Sequence, residues 1–185
     1  SLVEELRKDV EEIKKRLKRL VEENEKVVRE VTEADKKLSK ELEDEARDVK
    51  RALEELRRRG EVDERVLRRV LEIVDELLER ARESSRDSER VVRELLEESR
   101  RVVEEVLRRI EKLLEELERL ISREEVEELV RRVREDMERV VREVEKVSRD
   151  LDREIRRVHR ENRELIEDVK RKARKVLRDA EEEAR

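Results

Sequence analysis

Apolar residues recur along the first third of the chain at Val3, Leu6, Val10, Ile13, Leu17 and Leu20, and again at Val27, Val31, Ala34 and Leu38. The steps alternate three and four, the spacing that keeps one stripe of a helix turned toward a partner helix. One inward slot, between Leu20 and Val27, holds Asn24. Beyond Leu38 the stripe continues through Leu42, Ala46, Val49, Leu53 and Leu56. Its average step there is that of a nearly straight helix.

The stripe stops at "RRRG". Gly60 takes the left-handed conformation that closes a helix, and Arg57, Arg58 and Arg59 stand where the helix dipole favours cations. Asp63 is positioned as the next N-cap, with Val62 and Leu67 spaced as a hydrophobic staple. A second break carries no glycine and is found by phase. The stripe Ile110, Leu113, Leu117, Leu120, advanced by two heptads, meets Glu124, Glu127, Arg131 and Arg134. A continuous helix would therefore turn charge into its own seam. Ser122 and Glu125 fit a capping box there, flanked by Ile121 and Val126 as a staple. At Gly60 the same test gives another answer. Val49, Leu53 and Leu56 advance onto Asp63, Leu67 and Val70, nearly in phase. The hairpin at 60–63 rests on local caps, whereas that at 121–122 is enforced by the pattern.

The breaks predict three helices, over about 2–59, 64–121 and 123–184, each about 90 Å long at 1.5 Å per residue. Short connections make neighbours antiparallel. The expected fold is all-α, a long antiparallel up-down-up three-helix bundle, coiled-coil-like, forming one domain over 1–185. Doubled apolar positions such as Val66–Leu67, Val70–Leu71, Ile73–Val74 and Leu77–Leu78 widen the stripe, so one helix can contact two others.

In the second helix the pattern lapses. Between Leu78 and Val91 the inward positions read Ser84, Ser85 and Ser88. Pivoting the helices at the two turns places residue i of the first near 123−i in the second and near 121+i in the third, to about one turn. Asn24 then meets Ser99 and comes within a turn of Ser148. Asp35 maps onto Ser88, and Thr32 falls next to Asp152. Ser39 meets Ser84 and His159, with Asn162 one turn further along. Isolated serines could simply relieve crowding or point outward. Their coincidence in height on three helices favours buried hydrogen-bonded layers, because a buried hydroxyl or amide is costly unless paired.

Composition decides what else the pattern permits. Of 185 residues, 59% are charged, 34% apolar and none aromatic, with no Pro, no Cys and one Gly. Such charge would suggest disorder, but 52 basic and 57 acidic residues nearly cancel to −5 and the apolar positions are periodic. Without cysteine there is neither a disulfide framework nor thiolate chemistry. Apolar runs are too short for a membrane span. The single His159 has Arg156 three residues before it, so the Glu-x-x-His pair of bundle metal sites is missing. Asp152 and His159 share a face, yet a structural network explains them better than a catalytic one. Basic residues alternate with acidic ones and nothing can stack on a base, which argues against nucleic acid.

Idealised caps ("SLVEEL", "SREEVEEL"), the absence of Pro, Cys and aromatics, and polar layers ("ESSRDSE" with "TEADKKLSK" and "VHREN") give the chain a definite likeness. Over its whole length it resembles computationally designed helical bundles with buried hydrogen-bond networks. The resemblance is one of style and carries no catalytic residue. It implies a thermostable, soluble designed scaffold without natural biochemical activity, whose polar layers set helix register. The alternative it implies is an oligomer building block or a switch opening at the 60–63 hairpin. No enzyme activity, cofactor, metal, nucleic acid, membrane or small-molecule partner is expected. The expected state is a monomer under the first reading and a homo-oligomer under the second.

Overall fold

The computed structural model describes residues 1–184, and among them the chain forms α1 (Leu2–Arg58), α2 (Glu64–Arg119) and α3 (Arg123–Glu183). They pack as an all-α three-helix bundle. Each helix end lies within two residues of the position that periodicity and capping predict. At the start of α1 the amide of Glu4 donates to Ser1 Oγ at 3.4 Å and that of Glu5 to the Ser1 carbonyl at 3.1 Å. Glu4 and Glu5 open α1, and Glu124 and Glu125 open α3, where the dipole favours negative charge.

The first reversal is built as the sequence leads one to expect. Gly60 has φ of 70°. The Glu61 amide donates to the Leu56 carbonyl and the Gly60 amide to the Arg57 carbonyl, both at 3.0 Å. These are the paired bonds of a Schellman close, which satisfy carbonyls that the helix end would otherwise orphan. Asp63 then caps α2, with its Oδ1 accepting from the Arg65 amide at 3.3 Å and its carbonyl from the Leu67 amide at 3.0 Å. Val62 and Leu67 both join the adjoining core.

The second reversal differs from expectation. The Leu120 amide closes onto the Leu117 carbonyl at 3.3 Å, and the Val126 amide onto the Ser122 carbonyl at 3.1 Å. Ile121 is 100% exposed, so it does not staple to Val126. Leu120 and Val126 both turn inward. The connection is short and holds no residue of positive φ.

The packing forms two compact units, each drawing on all three helices. Unit 1 comprises Ser1–Arg29 and Arg93–Ile155. Its core sets Leu6, Val10 and Leu17 against Val106, Ile110 and Leu117 of α2 and Val130, Val133 and Met137 of α3. Unit 2 comprises Glu30–Val92 and α3 from Arg156 onward. Its core sets Val49 and Leu53 against Leu67, Val74 and Leu78 of α2 and Ile166 and Val169 of α3. Aliphatic side chains of this size each gain about 1.5–3 kcal/mol on full burial. Around the cores run cross-helix ion pairs: Arg100 with Glu25 at 2.9 Å in unit 1, and in unit 2 Arg82 with Glu43 at 3.0 Å and Lys50 with Asp75 at 2.6 Å. Exposed pairs of this kind contribute about 0–1 kcal/mol each. They favour one lateral arrangement of helices more than they stabilise it.

Candidate functional site

Five polar side chains are buried among the described residues: Asn24, Ser88, Ser99, Ser148 and Asn162. In unit 1, Asn24 extends from the seam of α1 in the slot where the stripe omits an apolar residue. Its Nδ2 donates to Ser99 Oγ on α2 at 3.1 Å, and its Oδ1 accepts from Ser148 Oγ on α3 at 3.0 Å. One amide thus uses a donor and an acceptor to join one residue from each helix. The amide suits that position because it alone among small neutral side chains offers both functions on separate atoms.

Unit 2 holds a second layer. Asn162 Oδ1 accepts from Ser84 Oγ at 2.9 Å and from Ser85 Oγ at 3.4 Å, and Ser85 also meets Ser39 Oγ at 3.4 Å. The chain of contacts again crosses all three helices: Ser39 on α1, Ser84 and Ser85 on α2, Asn162 on α3. One step along the bundle, His159 Nδ1 lies 2.5 Å from Asp35 Oδ1, with both side chains mostly buried. A carboxylate only accepts, so the ring nitrogen facing it donates.

The pairings within unit 2 differ from those the alignment predicts. Asp35 meets His159 rather than Ser88, Ser39 meets Ser85 rather than Ser84, and His159 bonds no serine. The cause is a vertical offset. Asn24 and Ser148 are 124 residues apart, as are Asp35 and His159. A pivot at the turn predicts about 121. The 120–122 connection therefore shifts α3 by most of one helical turn, enough to exchange the partners that α3 supplies, whereas Ser39–Ser85 joins α1 to α2 and lies one residue from the expected pair. Thr32 is half-buried and lines a shallow groove with Asp35, Ser39 and Ser85. Asp152 is half-buried and belongs to unit 1, whereas Thr32 belongs to unit 2. Ser88 Oγ and Asn162 Nδ2 are buried without a hydrogen-bond partner. The doubled serines signal a layer, but nothing in their spacing distinguishes the one that stays unpaired.

Ser84, Ser85 and Ser39 bond an amide or one another, so no hydroxyl is joined to a base. Among the described residues no group of three or more His, Cys, Asp or Glu side chains is placed to hold a metal, and no helix is long and apolar enough to cross a membrane. One carboxyl has a displaced proton affinity: a hydrogen bond from Lys172, at 3.0 Å, holds Asp168 below the usual carboxylate range. That pair lies one turn apart on α3, with both side chains partly exposed.

The Asp35–His159 pair permits a direct check. Asp35→Leu leaves a mostly buried ring nitrogen without its acceptor, and stability falls by about 1–3 kcal/mol. The Asp35→Leu/His159→Leu double variant regains most of that loss, because no polar atom is then left unpaired. Urea denaturation of the three proteins gives the comparison. A single variant as stable as the parent would mean that the contact contributes nothing.

Comparison of the chain with protein-family models, with curated proteins and with solved structures finds no match.

Proposed function

We propose that this chain is a designed structural scaffold, a three-helix bundle without enzymatic activity, whose polar layers specify how its helices align. The observation that carries this reading is the Asn24 layer, in which a single buried amide is bonded to Ser99 on α2 and to Ser148 on α3. A seam of Leu and Val alone gains nearly as much energy when one helix slides by a heptad. Sliding α1 past either neighbour strands a buried amide or hydroxyl, at a cost of about 1–3 kcal/mol per group. The layer thus penalises wrong registers more than it stabilises the right one. The idealised caps, the lack of Pro, Cys and aromatics, and the absence of any matching family support a designed origin. The scaffold acts on no small molecule, nucleic acid or membrane and carries no cofactor.

The test replaces the layer with apolar residues: Asn24→Leu, Ser99→Ala and Ser148→Ala together. The parent melts cooperatively above about 60 °C, since long apolar seams are buried at roughly 25 cal/mol per Å². The triple variant is at least as stable, because apolar replacement of a buried polar cluster is often neutral or favourable. Its backbone amide spectrum, however, shows more than one set of signals as registers mix. A triple variant with one sharp set of signals would remove the reason for assigning the layer this role.

A second reading, a building block or switch that opens at the 60–63 hairpin, is favoured by one observation. Only the left-handed Gly60 interrupts two stripes that are otherwise nearly in phase.

A further inference from the structure

Within unit 1, α2 and α3 leave two grooves of about 290 Å³ each between them. Both have aliphatic walls: Ile110, Leu113 and Val140 in the first, Leu95, Val147 and Leu151 in the second. They differ in charge. The second carries Glu98, Asp150 and Glu154 and no basic residue. The first carries Arg109, Lys112 and Arg139, with Asp136 as its single acid. Arg139 is already paired with Asp136 at 3.1 Å, which leaves the charges of Arg109 and Lys112 unbalanced. Among the described residues neither of these two cations joins an ion pair. The floor of this groove is Met137, 3% exposed and the one methionine of the chain. An unbranched thioether re-orients to fit what lies against it more readily than a branched side chain does.

We infer that the Met137 groove binds a free, single-chain anionic amphiphile, with its hydrocarbon tail along Ile110, Leu113 and Val140 and its carboxylate between Arg109 and Lys112. The two cations stand three residues apart on one helix, where like charges repel. A carboxylate between them removes that repulsion and accepts charge-assisted hydrogen bonds from both. Leu113 and Val140 are only half-buried in the chain alone, and the tail takes their remaining surface out of water. The volume lies at the lower end of the range for small-molecule sites. It fits one hydrocarbon chain and excludes the paired tails of a membrane lipid. The acidic groove on the same face is the counter-case. Its walls and volume are alike, but its charge repels a carboxylate, so apolar surface alone does not decide which groove fills. Binding is passive, because no hydroxyl, thiol or imidazole lines the groove. None of Asn24, Ser99 and Ser148 lines it either, so the inference stands or falls separately from the register role proposed for that layer.

Sodium decanoate, kept below micelle formation, is the probe, and the full chain is labelled with ¹³C-methyl methionine. With one methionine in the chain, the methyl spectrum holds one signal, and it reports from this groove. The signal is expected to move saturably as decanoate is added, while the helical circular dichroism stays unchanged. Decyltrimethylammonium, with a tail of the same length and the opposite charge, leaves the signal where it was. Arg109→Glu/Lys112→Glu raises the dissociation constant for decanoate about tenfold. Both side chains are exposed, so the double variant keeps the helicity of the parent. Phosphatidylglycerol vesicles carry down none of the protein. A signal that does not move at millimolar decanoate overturns the inference. So does an equal response to both amphiphiles, which would mean that tail burial alone drives binding, or an unchanged dissociation constant in the double variant. Loss of helicity on titration, or capture by the vesicles without binding of free decanoate, overturns it as well.

Discussion

Truncating Leu53 to alanine costs about 3–4 kcal/mol of stability and lowers the melting temperature by roughly 10 °C. Leu53 is fully enclosed in unit 2, in the same core as Val49, Val74 and Ile166. Long straight helices cannot collapse around a deleted isobutyl group without disturbing the layers above and below. The lost transfer energy is therefore joined by most of the cavity cost. Ile121→Ser supplies the contrast. Its side chain touches only solvent, so the change alters stability by less than about 0.5 kcal/mol. Urea denaturation of both variants beside the parent gives the two differences directly. Equal losses would mean that the packing around Leu53, or the exposure of Ile121, is other than described.

That contrast also marks where sequence reading ends. Leu53 is legible as core because periodicity reports which face of a helix is inward, and the faces of α1, α2 and α3 follow from it almost throughout. Gly60 and Asp63 are legible because the chemistry of a cap is local. Ile121 is not, since a staple depends on the direction the chain takes between two helices, and spacing alone does not carry direction. The polar layers divide in the same manner. That Asn24, Ser99 and Ser148 meet follows from height, and an offset of most of one turn matters little when the neighbouring seam positions there are apolar. In unit 2, polar residues crowd together, so an offset of a few residues decides which of them pair. His159 lands on Asp35 and leaves Ser88 without a partner for that reason. Register along the third helix is a property of the loop preceding it, and three residues without glycine do not specify their own geometry.

Gly60→Ala converts part of the population into domain-swapped oligomers. Two effects act in the same direction. The residue holds φ of 70°, where an L side chain costs about 1–2 kcal/mol, although the space around its β position is empty. Within a continuous helix, by contrast, alanine is better than glycine by about 1 kcal/mol. Together they shift the balance between closed hairpin and straight helix by about 2–3 kcal/mol, or roughly 30- to 160-fold. The straightened α1–α2 helix exposes both stripes on one side, and these are satisfied by exchanging elements with a second chain. Light scattering coupled to size exclusion detects the exchange. Swapped species interconvert slowly and survive dilution, unlike a contact between two closed chains. Gly60→Asn provides the control, because asparagine tolerates the left-handed conformation and keeps the hairpin closed. If the alanine variant remains strictly monomeric at high concentration, the hairpin is no switch.

The connection at 120–122 has a consequence of another kind. No side chain in it is enclosed, Leu120 being only half-buried, and its central residue is entirely in water. It contributes no packing of its own beyond that leucine, so the bond between Arg119 and Arg123 acts chiefly as a tether. In thermodynamic terms α3 is a ligand and the α1–α2 hairpin its receptor, held together at the millimolar effective concentration that a short linker provides. Affinity resides in the seam, and covalent continuity supplies only proximity. Severing the chain at Ile121 thus turns an intramolecular equilibrium into a bimolecular one, and makes the strength with which two helices bind a third a quantity that depends on concentration.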